Sequence, residues 1–200
     1  MAGRSVSLGG LLAEIERDLI FFEESGGGVT LSGGEPLAQP RFVRALLAAC
    51  RERGIHTAIE TCGYAHADVF SAIAPLANLL LFDLKLVDSA KHKRYTGVGN
   101  RPILANLSRA AASGLPVKVR IPVVPGVNDA AEDIAQFAAC LTQLGLRDVE
   151  LLPYHRTGVE KYRRLGWSDR MPATAEPAPH DLASFAATLR TAGLNVDIGG

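Results

Sequence analysis

Residues 26–40 read GGGVTLSGGEPLAQP, five glycines and one carboxylate around the short run Val29-Thr30-Leu31. Glycine has no Cβ, so Gly33 and Gly34 allow a ligand or a bent backbone to come close. Val29–Leu31 is apolar and β-branched enough for a short buried strand. Pro40 then opens a pattern with Val43, Leu46, Leu47 and Cys50 at helical spacing. The glycines therefore fall at a strand's C-terminal end, ahead of a helix, which is the edge where α/β folds bind ligands. A tight βα turn with no ligand would use the same residues.

Outward from this loop the same pattern repeats. Leu11, Leu12, Ile15, Leu19 and Phe22 predict an amphipathic helix over residues 8–25, ended by Gly26-Gly27-Gly28. GIHTAIETCG predicts a strand over 56–60, followed by a helix over 67–76. NLLLFDLK is apolar over 79–82 and then abruptly charged at Asp83 and Lys85. A helix over 102–113, the strand VKVRIPVVPG, a helix over 130–144 and the strand DVELLPYH come next. After the basic residues Lys161, Arg163 and Arg164 and a proline-rich link over 172–179, a helix over 181–192 and the apolar NVDIGG close the chain. Strands alternating with helices of this length mean βαβ units and a parallel sheet. Five strands and a candidate sixth are too few for a complete eight-stranded barrel, which leaves a partial barrel or an open doubly wound sheet.

Two hundred residues are expected to form a single domain with its own core. The 21 basic and 21 acidic side chains cancel, and neither half of the chain is strongly charged, so no electrostatic footprint for nucleic acid or a membrane surface is present. No apolar run approaches the roughly 20 residues needed to span a bilayer, and the N-terminus lacks a signal-peptide layout. The expected location is the cytoplasm. Cys50, Cys62 and Cys140 match no zinc or cluster spacing. Cys50 lies on, and Cys140 beside, an apolar helical stripe, where a free thiol packs as a small hydrophobe.

The polar residues concentrate where strands are expected to end: Gly33, Gly34 and Glu35; Glu60, Thr61 and Cys62; Asp83 and Lys85; Arg120; His155. In a parallel sheet these ends converge on one rim, the position of an active site. Singly, each has an ordinary explanation: Asp83 with Lys85 could be a surface ion pair and His155 a packed loop histidine. Glu35, Glu60 and Asp83 suit an ammonium or small cation, and Lys85 and Arg120 suit a carboxylate. Both signs around one rim fit a zwitterion such as an amino-acid moiety. No GxxxxGK[ST] loop, GxGxxG fingerprint or Ser/His/Asp arrangement is present.

GGGVTLSGGEP, GIHTAIETCGY, LLLFDLK, VRIPVVPG and LLPYH, in this order from about Val6 to Gly166, resemble the radical S-adenosylmethionine (SAM) activases of glycyl radical enzymes, the group that includes pyruvate formate-lyase activating enzyme. IETCGY resembles most the activases of the diol-dehydratase and choline-lyase type. The resemblance implies an α/β fold, a partial TIM-like barrel of parallel strands. It further implies that Gly33, Gly34 and Glu35 close around the methionyl amino group of SAM, that Asp83, Leu84 and Lys85 form the family's DxK motif, and that Arg120 and His155 complete the cofactor site, His155 near the adenine. Glu60, Thr61, Asp83 and the Leu81 carbonyl fall where the family can hold a monovalent cation. The implied reaction is hydrogen abstraction from a glycine of a partner enzyme by a 5′-deoxyadenosyl radical, with flavodoxin or ferredoxin as electron donor.

The chain departs from the family at one place. The family's 4Fe–4S cluster is held by a CxxxCxxC loop, and no such spacing occurs in these 200 residues. The expectation is a radical SAM core domain over 1–200, truncated at its N-terminus, that supplies most of the SAM pocket and not the cluster ligands. A cluster-free SAM- or partner-binding module, or an inactive fragment without redox activity, is the alternative.

Overall fold

The computed structural model describes residues 4–155 and 174–199. Among them are six strands, β1 (Gly28–Leu31), β2 (His56–Thr61), β3 (Leu79–Asp83), β4 (Val117–Val123), β5 (Asp148–Pro153) and β6 (Asn195–Ile198). They form one sheet in chain order, β1-β2-β3-β4-β5-β6. The pairs β1/β2, β2/β3, β4/β5 and β5/β6 are parallel, and the sheet ends at β1 and β6 without closing. The alternation of strands and helices leaves a partial barrel or a doubly wound sheet; the unclosed sheet in chain order agrees with the partial α/β barrel that the resemblance implies, and the candidate sixth strand is present as β6.

Before β1 lie α1 (Leu8–Glu16) and α2 (Leu19–Ser25), and between the strands lie α3 (Pro40–Glu52), α4 (Ala67–Ile73), α5 (Ser89–Thr96), α6 (Arg101–Ala112), α7 (Ala131–Leu144) and α8 (Pro179–Thr191). Two differences from the sequence expectation have local causes. The single helix over 8–25 is broken at Arg17-Asp18, where the Asp18 carbonyl accepts from the amides of Phe21 and Phe22 and restarts the chain as α2. Leu12 and Ile15 of α1 are buried, whereas Ile20 and Phe21 of α2 are about three-fifths exposed, at 61% and 62%. The second difference is α5, a polar segment with His92 as its buried residue; its signal is the N-cap Asp88, whose carboxylate accepts from the Lys91 amide at 2.6 Å.

The chain divides into two compact units, Met1–Phe82 with Arg101–Val117, and Asp83–Asn100 with Lys118–Gly200. The first packs Leu47, Cys50, Ile59, Phe70, Phe82 and Leu107 out of contact with water, with the Phe70 and Phe82 rings edge to face at 6.4 Å. The second packs Leu84, Ile121, Phe137, Leu141, Leu151 and Phe185, with Phe137 and Phe185 at 6.1 Å. Each such side chain contributes about 1.5–3 kcal/mol on burial.

Strand alternation sets up the site. Along β3 and the residues after it, Phe82, Leu84 and Leu86 are buried while Leu81, Asp83 and Lys85 are half-buried on the other face. Along β4, Val117, Val119, Ile121 and Val123 are buried and Lys118, Arg120 and Pro122 are half-buried. Successive residues of a strand point to opposite faces, so core-facing leucines and valines force the charged residues to the other side. Among the described residues no helix is long and apolar enough to cross a membrane.

Candidate cofactor-binding site

In the first unit, the chain leaves β1 through Gly33 and Gly34, whose φ angles of 84° and 65° lie in the left-handed region that side chains disfavour. A Cβ built on either glycine meets no atom within 4 Å. The two glycines are thus required by the turn, and they leave open space in front of the backbone.

Glu35 follows, and its carboxylate is engaged on all sides. Oε1 accepts from the Leu37 amide at 3.1 Å, capping the short 3₁₀ turn Pro36–Ala38, and from the Thr61 hydroxyl at 2.6 Å. Oε2 accepts from the Cys62 amide at 3.1 Å and from the Cys62 thiol at 3.2 Å. Thr61, 2% exposed, accepts in turn from the Gly63 amide at 2.9 Å. The end of β1 is therefore tied to the end of β2 through one carboxylate, and the Glu35 oxygens serve the loop itself. Pro36 restarts the chain because its fixed φ suits the capped turn.

Asn106 of α6 extends the tie. Buried to 1% exposure, it donates to the carbonyls of Gly63 and Ala65, both at 2.9 Å. Sequence reasoning missed it, although an amide within the buried stripe Ile103, Leu107, Ala110 is a recognisable anomaly. Glu60 lies opposite Leu81 in the β2/β3 register, and Thr61 opposite Phe82. This brings Glu60, Thr61 and Leu81, three of the four residues expected at a monovalent cation, to one end of the same strand pair.

In the second unit, Asp83 closes β3 and Oδ1 accepts from Nε and Nη2 of Arg120, at 2.9 and 2.7 Å. The side chains are 23% and 13% exposed. Asp83 is thus paired with Arg120 and not with its sequence neighbour Lys85. Arg120 was expected at a strand end and instead occupies the middle of β4, three residues before Val123. The Leu84 amide donates to the Arg120 carbonyl at 2.9 Å, which sets Arg120 level with the end of β3. Glu150 stands opposite Arg120 in the β4/β5 register.

Lys85 is half-buried, and among the described residues its ammonium has no ion-pair partner. Its backbone is fixed: Asn128, 1% exposed, donates to the Lys85 carbonyl at 3.0 Å and to that of Pro122 at 2.7 Å, and accepts from the Val124 amide at 2.8 Å. Asn100 holds the carbonyls of Leu86 and Val87 in the same way. Leu84 is fully buried and anchors the DxK segment. His155, half-exposed after β5, lies with Nδ1 3.5 Å from Glu176 Oε1. Lys161, Arg163 and Arg164 lie outside the described residues.

The first unit thus carries an open glycine turn, and the second a carboxylate–guanidinium pair and a half-buried lysine with no carboxylate partner among the described residues; these donor types fit SAM. The cluster is a different matter. Cys50 is fully buried and its thiol is pushed up by desolvation, eased by nearby Arg53. Burial likewise raises Cys140, and the Cys62 thiol is bonded to Glu35. Among the described residues no group of three or more His, Cys, Asp or Glu is placed to hold a metal ion, so they provide no ligand set for a 4Fe–4S cluster.

The radical SAM superfamily matches residues 4–138. The chain is 51% identical over 157 residues to the isethionate sulfite-lyase activating enzyme of Nitratidesulfovibrio vulgaris, covering 78% of this chain and 51% of that protein. It is 38% identical over 203 residues to the trans-4-hydroxy-L-proline dehydratase activating enzyme of Clostridioides difficile, covering 100% of this chain and 67% of that protein. A crystal structure of a domain of pyruvate formate-lyase activating enzyme from Bacteroides vulgatus superposes with a TM-score of 0.73 at 33% identity, covering 87% of this chain and 99% of that one. The chain thus spans about half the length of the first of these relatives and two thirds of the second. The ordered motifs, the open parallel sheet and these matches agree: the chain belongs to the radical SAM superfamily and, within it, to the activating enzymes of glycyl radical enzymes.

Proposed function

We propose that this chain supplies most of the SAM pocket of a cytoplasmic activase that installs a glycyl radical on a partner enzyme. The observation that carries the reading is Lys85. Half-buried Lys85 has its backbone carbonyl held by Asn128, lies two residues from Asp83, which is paired with Arg120, and has no ion-pair partner among the described residues, so its ammonium can take an anion such as a methionyl carboxylate. The turn at Gly33 and Gly34 leaves backbone space for the amino group, while Glu35 holds that turn to Thr61 and Cys62. Leu84 fixes the depth of the DxK segment, and His155 reaches the adenine. Glu60, Thr61, Asp83 and the Leu81 carbonyl are the proposed monovalent cation ligands. In this reading residues 1–200 are a single radical SAM core domain.

Bound SAM supplies, on one-electron cleavage of its sulfonium, the adenosyl group that removes hydrogen from a glycine Cα. The residues described here bind and orient it; the thiolates of the cluster come from outside the described residues, and a flavodoxin or ferredoxin supplies the electron. The test is to load the complete protein with cluster anaerobically and offer it three enzymes whose activases it resembles: isethionate sulfite-lyase, choline trimethylamine-lyase and trans-4-hydroxy-L-proline dehydratase. A SAM-dependent glycyl radical in the electron paramagnetic resonance (EPR) spectrum of one of them is expected. SAM cleavage with no radical on any of the three would contradict the activase reading.

A further inference from the structure

The first unit contains a cavity of about 630 Å³ that the SAM pocket does not use. It lies between the loop that follows β2 and one face of α6, and is lined by Tyr64, His66, Arg101, Pro102, Asn106 and Arg109 among others. Its charge is one-sided. Two arginines and a histidine face it with no Asp or Glu in the lining, on a chain whose charges balance as a whole.

The wall is built in advance. Buried Asn106 clamps the carbonyls of Gly63 and Ala65 and accepts from Arg109 Nη1 at 3.2 Å. Tyr64, between those two carbonyls, is held with 47% of its surface exposed. The same loop continues through the Gly63 amide to Thr61 and so to Glu35. An occupant of the cavity therefore rests on the segment that orders the glycine turn.

The chemistry of the lining selects the occupant. Pockets for small molecules bury most of their ligand, whereas here Tyr64, His66, Arg101 and Arg109 are all exposed. Tyrosine and arginine are the side chains that dominate protein–protein contacts, and a basic rim selects carboxylates and speeds encounter. We propose that this cavity docks a carboxylate-bearing loop of the glycyl radical enzyme partner, with Tyr64 as the apolar seat and Arg101 and Arg109 as the charge contacts. This rests on the activase reading above.

The test uses the complete, cluster-loaded protein and the partner that it activates, and compares the parent with Arg101→Glu and with Arg101→Glu/Arg109→Glu. Arg101 begins α6, where a carboxylate suits the helix dipole, so the single variant keeps the fold even if losing the Arg109–Asn106 bond harms the double one. Two rates are read: 5′-deoxyadenosine release with dithionite and no partner, and glycyl radical formation against partner concentration. The expected result is a rise of about tenfold or more in KM for the partner and a flatter salt dependence, with partner-free SAM cleavage within about twofold of parent. A KM within about twofold of parent in both variants overturns the docking site, as does a matching loss of partner-free SAM cleavage, which would put the arginines in the cofactor pocket. A parent that makes no radical on any partner overturns the activase reading and this proposal together.

Discussion

Glu35→Gln tests whether one carboxylate ties the ends of β1 and β2. The substituted amide would keep an oxygen for the Leu37 amide and the Thr61 hydroxyl, but its NH₂ would face the Cys62 amide, a donor against a donor. Two charge-assisted bonds become neutral, each losing about half of its 1.5–3 kcal/mol, and the Cys62 amide loses its acceptor, which costs about 1–3 kcal/mol more. These terms overlap, so a net loss of about 3 kcal/mol is expected. At about 2–4 °C per kcal/mol for a domain of this size, the melting temperature should fall by about 6–12 °C. The assay is thermal unfolding by circular dichroism on the complete protein, with Thr61→Val beside it. Thr61→Val keeps the volume and removes only one link, so it should fall by less. A melting temperature within about 2 °C of parent for Glu35→Gln would refute the tie.

Other substitutions probe other parts of the account. Gly63→Ala would put a methyl 2.4 and 2.6 Å from ring carbons of fully buried Phe82 at a φ of 70°, and should lower stability by at least about 2 kcal/mol in urea unfolding; an unchanged midpoint would show that the ring yields. Asn128→Asp keeps the acceptor for the Val124 amide and loses both donations, to the Lys85 and Pro122 carbonyls, for an expected cost of about 2–3 kcal/mol by the same assay; a midpoint equal to parent would show that the clamp carries no stability. The Lys91 ammonium, 2.7 Å from buried Asp133, has its pKa raised chiefly by that bond. A raised folded pKa gives stability that is complete below the ordinary lysine value and is lost as the pH rises through the folded one. Urea midpoints at about pH 7 and about pH 11 should therefore differ more for parent than for Lys91→Met; equal alkaline losses would contradict the pairing.

How much of this was legible in the sequence follows from which interactions are local. The strands were readable because Leu79–Phe82 and Val117–Val123 are apolar runs between turn signals, and the helices because Val43, Leu46, Leu47 and Cys50 repeat at one face. The failures are equally physical. In α5 only His92 is buried, so the segment has no apolar stripe to read. The break at Arg17-Asp18 is invisible to a periodicity that continues on both sides of it. Residue types at the site were legible, but partners were not: Glu35 finds Thr61 and Cys62 at separations of 26 and 27 residues, and Arg120 finds Asp83 at 37. Charge assigned Asp83 to a cation and both Lys85 and Arg120 to a carboxylate, with an Asp83–Lys85 ion pair as the ordinary alternative, whereas the fold delivers Arg120 to Asp83 and leaves Lys85 without an ion-pair partner among the described residues. Asn100, Asn106 and Asn128 belong to the same class, since a buried amide declares that it needs partners without saying which.

The central claim is that this chain holds SAM through Lys85, and the direct measurement is the dissociation constant of SAM for the complete, cluster-loaded protein by calorimetry, parent against Lys85→Ala. Arg4→Ala serves as the control, because it loses only an exposed pairing with Glu14. Removing one partner of a buried charge pair costs about 2–5 kcal/mol, so Lys85→Ala should weaken SAM by about 30-fold or more, with Arg4→Ala at the parent value. A Lys85→Ala protein that binds SAM as tightly as the parent would contradict the claim.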